Sequence, residues 1–91
     1  MISFYESEEG IRLVFTLTID GKNKSLLGST MTLVVPENTT TEFDLMVEEN
    51  RTFYDMQPGD FVAKSHTAYI VYVKGLLRLR TRNFSINVRP G

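Results

Sequence analysis

The sequence predicts an all-β domain, an antiparallel two-layer sandwich of about seven short strands. Three observations predict it. Apolar side chains alternate with polar ones in run after run, which lines them up on one face of an extended chain and would scatter them around a helix. The runs recur roughly every 8 to 14 residues, with turn-forming residues between them. No segment carries the 3.6-residue period of a stable helix.

The first run is the clearest. Ile11, Leu13, Phe15, Leu17 and Ile19 alternate with Arg12, Val14, Thr16 and Thr18, and Asp20-Gly21 then reverses the chain. From Thr30 to Val35, Met31, Leu33 and Val35 share one face until Pro36, which has no N–H for a ladder. Thr41 to Val47 repeats the pattern with Phe43, Leu45 and Val47, so the Leu33 and Phe43 sets are expected to face one core across a hairpin. Phe53, Tyr54 and Met56 mark a short strand, Pro58-Gly59-Asp60 a turn, and Phe61 to Lys64 a short extended piece. Ala68 to Val73 is apolar on both faces, which suits a central strand covered on both sides. Lys74-Gly75 turns the chain into Leu76 to Thr81, and Phe84, Ile86 and Val88 form the last run before Pro90-Gly91. This spacing is that of a Greek-key, immunoglobulin-like sandwich; a small closed barrel has the same alternation.

Ninety-one residues make one domain, residues 1–91, with no repeat or linker inside it. With 42% hydrophobic and 23% charged residues the composition is that of a globular chain. There is neither Trp nor Cys, so six Phe, four Tyr and four Met supply the bulky packing and no disulfide staples a core this small. A net charge of −1 gives no general attraction to nucleic acid or acidic membranes. No apolar run approaches the roughly 20 residues of a membrane span. Glu6, Glu8 and Glu9 near the N-terminus are the opposite of a signal peptide's basic start, so the chain is expected to remain where it is made or in what it assembles into.

The inventory of reactive groups argues against catalysis and against a cofactor. With one histidine, His66, and no cysteine, zinc sites of Cys and His clusters are excluded. His66 lies in the polar Lys64-Ser65-His66-Thr67 stretch and reads as a surface loop histidine. Glu8-Glu9 and Glu48-Glu49 are adjacent on extended chain and point apart, so neither is a catalytic dyad. Asp20, Glu48 and Asp60 fall in separate loops and form no calcium-binding series. No phosphate loop or dinucleotide fingerprint is present. Four of the five asparagines stand in glycosylation sequons, at Asn23, Asn38, Asn50 and Asn83; with Ser and Thr plentiful, these read as chance.

Two features point to binding. At strand spacing Arg78, Arg80 and Arg82 project to one side and Leu77, Leu79 and Thr81 to the other. Such a stripe is most simply the solvent face of an outer strand; as a binding feature it suits an acidic protein partner better than nucleic acid, since few aromatics accompany it for base stacking. Phe53, Tyr54 and Tyr5 are the candidate stacking aromatics of an alternative role, a carbohydrate- or cell-surface-binding adhesion module, and are equally packing residues.

Two blocks carry a family resemblance. Leu26-Leu27-Gly28-Ser29-Thr30-Met31-Thr32-Leu33 is similar to an "L-x-G-a-t" lead-in to a strand. Thr67-Ala68-Tyr69-Ile70-Val71-Tyr72-Val73, followed by a turn, basic residues and Thr81-Arg82-Asn83-Phe84-Ser85-Ile86-Asn87-Val88, looks like a closing pair of strands ending "T-x-x-F-x-I-x-V". On these, residues 11 to 88 resemble the immunoglobulin-like modules of tailed-phage virions, above all the N-terminal domains of upper baseplate proteins and head or tail fibre anchors. The resemblance implies a non-enzymatic structural protein of the virion, assembled in the host cytoplasm. It would be multicopy or homo-oligomeric and docked on capsid, tail or baseplate proteins, without nucleic acid, membrane or cofactor. Lys64-Ser65-His66 replaces the family's usual glycine, and the chain stops at Gly91 where baseplate proteins continue, which favours a free-standing decoration, adaptor or accessory protein.

Overall fold

The computed structural model of the chain describes residues 2–6, 8, 10–16, 18–19, 22–23, 25–57 and 59–90. Its strands are β1 (Ile2–Tyr5), β2 (Arg12–Phe15), β3 (Thr18–Ile19), β4 (Lys22–Asn23), β5 (Thr30–Val34), β6 (Glu42–Asp44), β7 (Met46–Val47), β8 (Thr52–Asp55), β9 (Ser65–Lys74), β10 (Leu77–Arg80) and β11 (Phe84–Arg89). Among the described residues there is no helix. The larger sheet runs β1-β11-β9-β5-β6, with β10 also on β9; the smaller runs β2-β8-β7, and β3 and β4 pair alone. The fold is thus all-β, a curled, sandwich-like arrangement of mixed and antiparallel sheets.

The inner faces follow the alternation. Met31, Leu33 and Val35 are buried, Leu33 lies opposite Phe43 across the β5–β6 pair, and Ala68, Ile70 and Tyr72 continue the surface from β9. Ile86 and Val88 of β11 and Phe4 of β1 complete it. From the smaller sheet Leu13 enters the same core, while Phe15 packs on Phe84 at 5.6 Å and Tyr54 on Phe43 at 5.1 Å between ring centroids. Phe43 stacks on Phe61, and Phe61 meets Phe4 edge-on. This chain of rings carries the bulk that Trp would otherwise bring.

Several expectations are corrected. The domain is not wholly antiparallel, because β1 runs parallel to β11 along its outer edge. The first and last strands lie side by side, and β1 caps the ladder groups that β11 would otherwise expose. The run from Ile11 to Ile19 is not one strand: β8 ends opposite Phe15, so the chain loses its neighbour there and β3 pairs locally with β4. Leu17, the Asp20-Gly21 reversal and Pro58 lie outside the described residues. Thr41 to Val47 is also divided. β6 bonds to β5 and β7 to β8, so the chain changes sheets at Leu45, which is buried and donates its N–H to Met31 O at 3.0 Å. Phe61 to Ala63 joins no strand, since side chains use the Val62 backbone: Asn38 Oδ1 accepts its N–H at 3.0 Å and His66 Nε2 contacts its carbonyl at 2.8 Å; only Lys64 O reaches β11, accepting the Val88 N–H at 2.9 Å. β9 is central, but only one of its faces is sealed; Tyr69, Val71 and Val73 on the other are half-buried.

On one edge β9 meets β5; on the other it meets β10 along Val71–Lys74 and β11 along Ser65–Ala68. Arg80 lies opposite Val71 and Phe84 opposite Ala68, so Thr81, Arg82 and Asn83 face only Tyr69 and Ile70. One residue too many on one side is a β-bulge. Thr81 fastens it, donating its N–H to Ile70 O at 2.9 Å and accepting the Ile70 N–H on Oγ1 at 2.9 Å. Gly75, with φ 59°, opens the two-residue β9–β10 hairpin, a conformation that a side chain disfavours.

Candidate docking face

Directly paired residues share a face, so the ladder registers map the outer side of the larger sheet. One rank runs Arg80, Val71, Thr32, Asp44 from β10 to β6. On one side of it lie Arg78, Val73 and Thr30; on the other lie Tyr69, Val34 and Glu42. Half-buried Val34, Tyr69, Val71 and Val73 thus form an apolar strip, with two arginines along one margin and two carboxylates along the other. The strip floors a shallow depression of about 350 Å³ bordered by Glu42 and Arg78.

The two margins are held differently. The Arg80 guanidinium lies 3.7 Å from the centre of the Tyr69 ring, and its Nη2 donates to Asn83 Oδ1 at 2.5 Å. The charge is therefore held over the face of an aromatic ring by two contacts. Arg78, Glu42 and Asp44 are exposed, and among the described residues none of them forms an intramolecular ion pair. Where ion pairs do form, they lie elsewhere. Arg12 grips Asp55 with Nε to Oδ1 at 2.6 Å and Nη2 to Oδ2 at 3.1 Å, and this hydrogen bonding holds the Asp55 carboxyl below the usual carboxylate range.

Of the three arginines expected to act together, the structure unites Arg78 and Arg80 and separates Arg82. The bulge interrupts the period after Arg80. Arg82 lines a different cleft, of about 510 Å³, with Phe15, Ile70 and Phe84 between the sheets. The expected aromatic set is dispersed as well. Tyr54 faces the core and donates its hydroxyl to Asp60 Oδ2 at 2.6 Å, while Phe53, next along β8, faces outward beneath the Arg12 guanidinium at 4.1 Å. Tyr5 stands on β1 in the other sheet, opposite Arg89. On the outer face of the smaller sheet, exposed Val14 and Met46 flank Phe53 in one cross-strand rank.

His66 is not a surface residue. It is 1% exposed within β9, on the same parity as Ala68, Ile70 and Tyr72, and that parity was the signal for it. Its Nδ1 is buried without a hydrogen-bond partner among the described residues. Asn38, the centre of one sequon, is also buried: its amide donates to Thr40 O at 2.8 Å and Asp60 O at 2.6 Å. Asp60 is occupied too, accepting from Tyr54 and from the Gln57 N–H at 2.7 Å. Among the described residues no three of His, Asp and Glu gather as a metal site. Glu42 and Asp44 were legible in the sequence only as the polar side of the Phe43 alternation, which turns both outward, and not as site residues.

Fold and face together define an all-β module with one charge-flanked surface. No family model matches the chain, and no curated protein matches it.

Proposed function

We propose that the chain is a non-enzymatic docking module, an immunoglobulin-like sandwich carried in several copies on a tailed-phage virion. It attaches to capsid, tail or baseplate proteins as a decoration, adaptor or fibre anchor, in a particle assembled in the host cytoplasm. The observation that carries the docking half of this reading is the outer face of the larger sheet. There a half-buried apolar strip lies between the cation held on Tyr69, Arg80, and the exposed carboxylates Glu42 and Asp44, which form no ion pair among the described residues. Interface cores are similarly apolar and aromatic, with arginine favoured over lysine, and charges at their rim orient the partner. The virion half rests on the resemblance of residues 11 to 88 to phage immunoglobulin-like modules.

Mass spectrometry of purified particles tests the location, with the protein expected among the virion components. Particles that lack it contradict the virion reading. Carrying Arg78→Glu and Arg80→Glu together should lower its occupancy on the particle by at least about tenfold, while its circular dichroism stays that of the wild type. Unchanged occupancy removes this face from the docking reading.

A further inference from the structure

We infer that the partner of this face is a second copy of the same chain, stacked face to face about a two-fold axis parallel to the strands. The inference rests on the reading of the outer face as a docking surface, and it names the occupant as a neighbouring copy, so that copies hold one another on the particle through this face. The argument is one of symmetry and charge. Arg78 and Arg80 lie on one side of the strip, and Glu42 and Asp44 lie about 14 Å away on the other, three strand spacings across.

Two such faces can be brought together by a two-fold axis in their common plane in two orthogonal ways. An axis across the strands lays arginine on arginine and carboxylate on carboxylate. An axis along the strands exchanges left and right but keeps the height along each strand, so every basic margin meets an acidic one. The central rank Arg80, Val71, Thr32, Asp44 then lies on its own reverse: Arg80 over Asp44, Val71 over Thr32, and the same pairs again by symmetry. Only one residue pair has to match for both ends of the rank to be satisfied, as in any isologous contact. The strands of the two sheets stay nearly aligned, as they do in natural sheet-on-sheet packing. Arg80 favours this contact because it is already held over the Tyr69 ring and by Asn83, and so loses little freedom on pairing. The face is only four strands wide, so the dimer belongs to the weak, concentration-dependent class.

The test uses the full chain and two charge-uniform variants. One carries Arg78→Glu and Arg80→Glu, which makes both margins acidic; the other carries Glu42→Lys and Asp44→Lys, which makes both basic. In sedimentation equilibrium the wild type should dimerise in the micromolar range, more weakly as salt rises. Each variant alone should dimerise at least about 100-fold more weakly, because both margins repel. Mixed in equal amounts, the two should form a heterodimer, since acidic margins then meet basic ones on both sides. A monomeric wild type at millimolar concentration, a variant that dimerises as the wild type does, or a mixture that fails to associate overturns the inference. Particle binding separates this failure from that of the docking reading. If the wild type is monomeric yet the acidic variant leaves the virion, the face docks a different protein and only the second-copy inference falls. If the acidic variant also stays on the virion, both fall.

Discussion

Tyr54 joins the core to the Gln57–Asp60 turn. Its ring packs on Phe43 and its hydroxyl donates to Asp60, which also receives the Gln57 N–H. Burial, and then the bond to a carboxylate, push the phenol from 10 up to about 12. The folded chain therefore keeps a proton that the unfolded chain gives up near pH 10. This contribution to stability is whole below pH 10 and is lost as pH rises from 10 toward 12. In a titration of tyrosinate absorbance, Tyr54→Phe should remove an ionisation step near pH 12, and the variant should lose less stability between pH 10 and 12 than the wild type. A variant curve that loses its step near pH 10 and keeps one near pH 12 would contradict the raised ionisation of Tyr54. None of this was legible in the sequence, where Tyr54 was one aromatic in a short strand. Asn38 was hidden for the same reason. Its amide serves Asp60 and Val62, which are 22 and 24 residues away, and pattern reading sees only near neighbours.

Strands were legible where a neighbour lies alongside throughout. β5, the inner residues of β9 and the last run of β11 match their alternation, because burial on one face is what alternation records. Alternation does not record which strand is the neighbour, so it passed through Leu45 without showing the change of sheet. The bulge after β10 is the instructive case. Arg78, Arg80, Phe84, Ile86 and Val88 all have even numbers, yet the arginines face out and the apolar three face in. A single regular strand cannot do both, so an inserted residue between Arg80 and Phe84 is a geometric requirement, and Arg82 could not continue the stripe. Thr81 holds the insertion by completing the Ile70 ladder with its side chain. Thr81→Val keeps the shape but leaves the Ile70 N–H of a buried residue unpaired, at a cost of about 1–2 kcal/mol. Hydrogen exchange at the Ile70 amide should accelerate accordingly; exchange as slow as in the wild type would show that Thr81 does not fasten the bulge.

At the scale of the molecule, the same alternation that builds the core also produces the surface proposed for docking. Every inward residue of β5, β6, β9 and β10 leaves an outward neighbour, and the register sorts those neighbours into a basic margin, an apolar strip and an acidic margin. The all-β class was legible because it depends only on period. The parallel β1–β11 edge was not, since Ile2 and Phe4 give too short a run to declare a strand and nothing local fixes its direction. The charge pattern of the face was half legible: the arginines stood out, whereas Glu42 and Asp44 acquire meaning only once β6 is known to lie three strands from β10.

The most direct test of the face as the surface on which two copies dock is a concentration series of amide correlation spectra of the intact chain, from low micromolar to millimolar. The predicted result is progressive shift changes at Thr32, Val34, Asp44, Tyr69, Val71 and Arg80, with Val14, Met46 and Phe53 on the opposite sheet unmoved. Shifts confined to Val14, Met46 and Phe53, or spectra that do not change with concentration, would contradict it.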